Sequence, residues 1–224
     1  MVLVLLSPGQ GIYADKTPND VNSRPEDNAT SSVADANDPD ELWWRRWDAV
    51  VKDPNDPNEL VHAKLNAVIT VLQSQEPEQT LKEKIIDKII SPSFDFELMS
   101  KLVLGRTHWP KLTPDEQQKF TELFTERLKK SYLEKITLYK DEKVHLAPAV
   151  AQKMGIYISM DVQSDDKKIA VLYKLRKADA QWKIYDVEVQ GVSILLTYRS
   201  QFDDMLRRGN VKDVLVQLEK PATK

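Results

Sequence analysis

Apolar side chains recur every three or four residues in the first half of the chain's body, which is the spacing of amphipathic helices. The pattern predicts four helices, over residues 58–72, 77–90, 95–104 and 113–138. The third is predicted to end at Gly105, a residue type that favours helix C-termini. The fourth begins with Thr113 as N-cap and Glu116 three residues later, which together form a capping box. Its apolar stripe repeats every four residues, at Phe120, Phe124, Leu128 and Tyr132.

Beyond residue 139 the apolar positions alternate with polar ones, which is the period of a half-buried β-strand. Alternating segments cover residues 156–162, 169–176 and 183–189, and an earlier strand is predicted near 143–149. Two further helices are predicted over residues 194–208 and 211–218. This order predicts an α+β fold, with helices packed on a curved antiparallel sheet of about four strands. The bulky helical stripe can close a solid core against such a sheet or line an apolar cavity, and periodicity leaves both open.

The segment before this body has a different character. Residues 1–14 resemble the end of a secretory signal peptide, with an apolar stretch over Met1–Leu6, a break, and a small residue at Ala14. Residues 15–56 form an acidic leader that is poor in large apolar side chains, and we predict that most of it is disordered. Residues 1–60 hold 12 acidic and 5 basic side chains, whereas residues 61–224 hold 23 acidic and 27 basic ones. A mildly basic domain over 57–220 therefore follows an acidic leader.

The leader also contains a cluster of tryptophan and arginine over residues 43–47. One interpretation is a helix that docks at a membrane interface or on a partner, with the indoles at the boundary. The other, which we favour, is a short helix whose indoles pack on the domain. Acidic residues flank the arginines, which weakens the membrane interpretation.

Composition excludes several kinds of chemistry. The chain has no cysteine, so disulfides, thiolate metal sites and cysteine nucleophiles are excluded. Its three histidines are far apart in sequence and form no local metal motif. The net charge of −3 does not favour nucleic acid. No cofactor-binding motif occurs, so we predict no metal and no cofactor.

Four carboxylates are candidate acid–base groups, at Asp95, Asp161, Asp186 and Glu188. A lone carboxylate in an apolar pocket can act as a general base, as in small cone-shaped isomerases. A structural role is the stronger prediction, with Asp186 as the ion-pair partner of Arg199. We therefore predict that the protein is not an enzyme.

Several short motifs occur in one order along the body, and together they are specific. They comprise Phe94-Asp95-Phe96-Glu97-Leu98-Met99, Leu104-Gly105-Arg106 with Trp109, Ser131-Tyr132, Val171-Leu172-Tyr173-Lys174-Leu175, Trp182-Lys183-Ile184-Tyr185-Asp186-Val187, Gly191-Val192-Ser193 and Tyr198-Arg199-Ser200-Gln201-Phe202. This ordered set resembles the MlaC family, also called the toluene-tolerance family, over about residues 57–220. The acidic leader is not part of the family pattern, so nothing is carried over to it.

The resemblance implies an exported periplasmic carrier of phospholipid in a Gram-negative cell, here expected as a monomer. Such a carrier holds acyl tails in a cavity between helices and sheet. It shuttles lipid between an inner-membrane ABC transporter and an outer-membrane lipoprotein complex, and so maintains outer-membrane lipid asymmetry. The phospholipid would be cargo, because this transfer needs no nucleophile, metal or cofactor.

Periodicity, and not the resemblance, supplies the predicted lipid-binding residues. They are Met99, Phe120, Phe124, Leu128, Tyr132, Ile158, Met160, Val171, Tyr173, Tyr185, Val187 and Ile194. Two other functions stay open. One is a small-molecule enzyme that uses Asp186 or Asp161, and the other is a ligand-free adaptor that docks through Trp43, Trp44 and Trp47.

Overall fold

A computed structural model of the chain describes residues 55–75, 78–136, 143–164 and 167–220. The predicted signal peptide over 1–14 and the leader up to residue 54, with its tryptophan cluster, lie outside the described residues. Within the described part, no helix is long and apolar enough to cross a membrane.

Six α-helices occur among the described residues. They are α1 (Pro57–Gln73), α2 (Gln79–Ile90), α3 (Phe96–His108), α4 (Pro114–Ile136), α5 (Ile194–Arg208) and α6 (Val211–Glu219). Short polar side chains cap the starts of these helices except α2, whose N-cap Glu78 makes no side-chain capping hydrogen bond. The predicted capping box of α4 is confirmed, because the Thr113 N–H donates to Glu116 Oε2 at 2.9 Å and the Glu116 N–H donates to Thr113 Oγ1 at 3.3 Å.

The prediction that the third helix ends at Gly105 is confirmed. The span of α3, Phe96–His108, consists of two helical stretches that meet at a kink at Gly105, where φ is 65°. A Cβ atom there would lie 3.2 Å from Arg199 Nη2, so the missing side chain also leaves room for the Arg199 guanidinium.

The strands form one antiparallel sheet. Its strands are β1 (Lys143–Leu146), β2 (Val150–Gln152), β3 (Gly155–Ser164), β4 (Lys167–Ala178), β5 (Gln181–Val189) and β6 (Val192–Ser193). The spatial order is β1-β3-β4-β5-β6, and β2 also pairs with β3. The described residues contain six strands where about four were predicted, because β2 follows the predicted strand near 143–149 and because β6 has only two residues. The predicted α+β class is confirmed.

The buried apolar residues separate into three clusters. The helical cluster joins α3, α4, α5 and α6 around Phe120 and Phe124. The hairpin cluster joins α1 and α2 around Val68 and Ile86. The sheet cluster consists of Val61, Ile158, Leu175, Ile184 and Val187, with half-buried neighbours.

Candidate functional site

The sheet presents one apolar face, which the strand register defines. Tyr173 on β4 pairs with Ile158 on β3 and with Val187 on β5, so the three side chains form one row. The next row consists of Met160, Val171 and Val189. Because side chains alternate across a strand, these rows lie on the same face. Five predicted lipid-binding residues therefore share a surface: Ile158, Met160, Val171, Tyr173 and Val187.

The helical cluster and the sheet cluster meet along a boundary that we call the seam. Among the described residues, Phe94 and Ile194 pack against both clusters. Phe94 is anchored to the sheet, since it forms a bridge with Ile184 and since the Asp95 N–H donates to the Ile184 carbonyl at 2.9 Å. Ile194 was a predicted site residue, whereas Phe94 was missed. Its position between a Pro-containing turn and an N-cap was the available signal.

Four predicted residues lie in the helical cluster instead. Met99, Phe120, Phe124 and Leu128 are all buried there. The Phe120 and Phe124 rings stack with centroids 5.7 Å apart, and both make edge contacts with Phe202 on α5. In this structure their side chains therefore pack against other helices.

Tyr132 connects α4 to the α1–α2 hairpin. Its hydroxyl donates to Asp87 Oδ1 at 2.8 Å, and Lys129 donates to Asp87 Oδ2 at 3.0 Å. Burial by itself would raise the pKa of the Asp87 carboxyl, but hydrogen bonds from Ser91, Tyr132 and Lys129 and the Lys129 charge outweigh it and lower that pKa. The Tyr132 ring also stacks on Phe94, with centroids 6.3 Å apart. This contact network therefore closes one side of the seam.

Tyr173 is the polar group of the apolar face. Among the described residues, its hydroxyl has the thioether of Met160 as acceptor, at 3.8 Å. Burial raises the pKa of Tyr173 to about 12. The phenol therefore stays protonated, and its O–H donor has only a weak sulfur acceptor among the described residues.

Tyr185 does not share this face. A bulge at Lys174/Leu175 pairs Lys174 with Asp186 and Leu175 with Ile184, which leaves Tyr185 as the extra residue. Its hydroxyl is hydrogen-bonded with Tyr157, the register neighbour of Lys174. The expected alternation of Tyr185 with Val187 was wrong, because the bulge turns Tyr185 towards the opposite face.

Asp186 is buried and fully engaged. It accepts from Ser193 Oγ at 2.8 Å, from the Leu195 N–H at 3.3 Å and from Lys174 Nζ at 3.1 Å. The predicted pairing with Arg199 was wrong, because Arg199 instead lies over Gly105 and near Asp203. The carboxylate stands at the N-terminus of α5, where the helix dipole stabilises a negative charge.

The other candidate carboxylates are also paired. Asp161 contacts Lys168 at 2.8 Å, and Asp95 contacts Arg176 at 2.8 Å while it caps α3. Glu188 contacts Lys174. Across the ranges that the structure describes, no group of three or more acidic or histidine side chains could hold a metal ion.

A groove of about 260 Å³ lies between α1 and the loop after β1. It is lined by Asn58, Glu59, His62, Leu146, Ala147 and Pro148. Leu146 also packs against the sheet cluster, so the groove reaches the edge of the apolar face. Its volume is below the ~300–1,000 Å³ of a typical ligand pocket, so a larger ligand requires the layers to separate.

These features define an α+β protein whose helices cover the apolar face of an open antiparallel sheet. Residues 62–220 match the family model described as "MlaC protein", so the chain belongs to this family and the resemblance seen in the sequence is confirmed.

Two curated relatives and one solved structure extend this result. The chain is 29% identical to the "Toluene tolerance protein ttg2D" of Pseudomonas putida. The aligned part covers 57% of this chain and 61% of that protein. It is 21% identical to the "Intermembrane phospholipid transport system binding protein MlaC" of Haemophilus influenzae, over 62% of this chain and 67% of that one. A phospholipid-binding protein from Ralstonia solanacearum, solved in complex with a phospholipid, superposes with a TM-score of 0.65. It is 23% identical, and the superposition covers 73% of this chain and 95% of that one. The superposition with the Ralstonia solanacearum protein shows that the two chains share a fold.

Proposed function

We propose that the protein is a periplasmic phospholipid carrier that shuttles lipid between an inner-membrane ABC transporter and an outer-membrane lipoprotein complex. In this proposal it works as a monomer and without a cofactor, and the acyl tails enter the seam. The observation that carries the proposal is the division of the interior into a helical cluster and a sheet cluster with Phe94 and Ile194 packed against both. The phospholipid transport role of the Haemophilus influenzae relative and the phospholipid bound to the Ralstonia solanacearum protein support the same cargo.

Apolar surface supplies the affinity in this proposal. Burial of a methylene group contributes about 0.8 kcal/mol, so two acyl chains bind without a charged contact. The proposed contacts on the sheet are Ile158, Met160, Val171, Tyr173 and Val187, and Ile194 and Tyr132 close the ends. Met99, Phe120, Phe124 and Leu128 become contacts if the helical cluster opens with the seam, whereas Tyr185 lies on the opposite face and is not a proposed contact.

The enzyme alternative has less support. Both carboxylates on which it rested are held by lysines, Asp161 by Lys168 and Asp186 by Lys174. Asp186 also accepts two hydrogen bonds at the start of α5, a structural role that leaves its oxygens engaged.

Native mass spectrometry of the protein from a Gram-negative periplasm tests carriage. We expect a mass increment of one phospholipid that organic extraction removes. An apo mass under gentle conditions, together with no uptake from labelled vesicles, would overturn the proposal. Delivery is then tested by transfer of labelled lipid between vesicles that contain the transporter and vesicles that contain the outer-membrane complex.

A matched pair of variants localises the site. Ile194→Asp places a charge in the seam, whereas Leu196→Asp places the same charge two residues later on a side chain that is 63% exposed. Both changes lie in the first turn of α5, where the helix dipole stabilises an acidic side chain, and the melting temperature of each lipid-free variant checks that it folds. We expect Ile194→Asp to abolish lipid uptake and Leu196→Asp to leave it unchanged. Equal uptake by both variants would contradict the seam as the site.

A further inference from the structure

The Tyr173 hydroxyl is a hydrogen-bond donor among apolar side chains. Its row partners on the sheet are Ile158 and Val187, and its hydroxyl acceptor among the described residues is the Met160 thioether at 3.8 Å. Tyr173 is half-buried, and a donor that loses hydrogen bonds to water without gaining a good acceptor lowers the stability of a folded protein. The hydroxyl is therefore better explained by an acceptor that arrives with the ligand.

The surroundings restrict what that acceptor can be. The neighbouring residues on β4 with charged side chains, Lys174 and Arg176, are separated from the Tyr173 face. Lys174 pairs with Asp186 and Glu188, and Arg176 pairs with Asp95. A phosphate beside Tyr173 would thus be buried without a cation from these residues, which is costly. A neutral carbonyl oxygen avoids this cost and accepts a hydrogen bond from a phenol.

We propose that the Tyr173 hydroxyl donates a hydrogen bond to an ester carbonyl oxygen of the lipid bound in the seam, so that the site selects acyl-ester lipids over ether lipids. This inference rests on the proposed function and deepens it. An ester carbonyl stands where an acyl chain joins the glycerol, so this contact would fix how deep the chain lies along the sheet. Tyr173 is then a specificity-determining residue in a site whose other contacts are apolar.

The test compares two lipids and three proteins. The lipids are a diester phosphatidylethanolamine and its diether analogue, with the same headgroup and chain lengths. The proteins are the wild type, Tyr173→Phe and Tyr185→Phe. The last is a matched control, because it removes the same hydroxyl from a tyrosine that is hydrogen-bonded with Tyr157 on the opposite face. Affinity is measured by displacement of a fluorescent lipid from each delipidated protein.

We expect the wild type and Tyr185→Phe to bind the diester lipid about two- to tenfold more tightly than the diether lipid, which is the range for one neutral hydrogen bond. Tyr173→Phe should remove this preference by weakening the diester lipid alone, with an unchanged melting temperature of the lipid-free protein. The proposal is overturned if the wild type shows no preference, or if Tyr173→Phe weakens both lipids equally while its melting temperature falls. Binding of neither lipid by the wild type would instead defeat the proposed function itself.

Discussion

The helical cluster and the sheet cluster are both apolar, but the side chains around them are buried to different extents. In the helical cluster Phe120, Phe124 and Val103 have no exposed surface, and the centroids of the contacting aromatic rings lie 5.7–6.2 Å apart. In the sheet cluster Ile158 and Leu175 are also fully buried, but Val171 and Tyr173, which share the apolar face with Ile158, stay half-buried. The first region has the closure of a folding core, whereas the second retains apolar area that a ligand can still cover.

The largest expected effect comes from Phe124→Ala in the helical cluster. Loss of a fully buried aromatic ring should lower the free energy of unfolding of the lipid-free protein by about 3–5 kcal/mol. Urea unfolding of delipidated protein measures this value. A near-normal stability together with lost lipid uptake would show that Phe124 lines the ligand site, and would break the distinction between the two clusters.

A matched valine pair compares the clusters directly. Val103→Ala in the helical cluster and Val187→Ala in the sheet cluster remove the same two methyl groups. We expect about 2 kcal/mol of destabilisation from Val103→Ala and less from Val187→Ala when lipid is absent. Only Val187→Ala should speed lipid release, which stopped-flow transfer to acceptor vesicles measures. The reverse order of stabilities, or faster release from Val103→Ala, would contradict the assignment.

The smallest effect concerns the contact between Asp87 and α4, which closes one side of the seam. Because the folded-state pKa of Asp87 is lowered, its ionised form stabilises the fold above the ordinary pKa of 3.8, and this contribution is lost as the pH falls through the lower folded-state value. Wild type should exceed Asp87→Asn in unfolding free energy by about 1 kcal/mol at neutral pH, and the difference should vanish in strong acid.

Urea unfolding of both proteins across this acidic range provides the measurement. The remaining carboxylates titrate in both proteins and cancel from the difference. If the difference in unfolding free energy between wild type and Asp87→Asn stays constant below pH 3.8, the stabilisation does not come from the ionised Asp87 carboxylate.

The sequence predicted the features that repeat along the chain. Helical periodicity located α1 to α6, alternation located β3 to β5, and the Thr113–Glu116 capping box marked the start of α4. Such features depend on residues close in sequence, so a single chain carries the signal. They also defined the apolar sheet face, through residues such as Ile158 and Val187.

The errors concern contacts between elements that are distant in sequence. The bulge that turns Tyr185 away depends on the pairing of β4 with β5, and strict alternation cannot reveal it. The choice of Lys174 over Arg199 as the partner of Asp186 is likewise set by strand register. Phe94 was missed because its position at the seam follows from its bridge to Ile184, 90 residues later.

The bulge in β5 also governs how this strand can change length during evolution. Deletion of a residue elsewhere in β5 would shift the remaining side chains by one and exchange the interior face with the exterior one. Deletion of Tyr185 would instead leave Ile184 opposite Leu175 and Asp186 opposite Lys174, as they are now. Position 185 is therefore the place in this strand where relatives can gain or lose a residue while both halves of the strand keep their orientation.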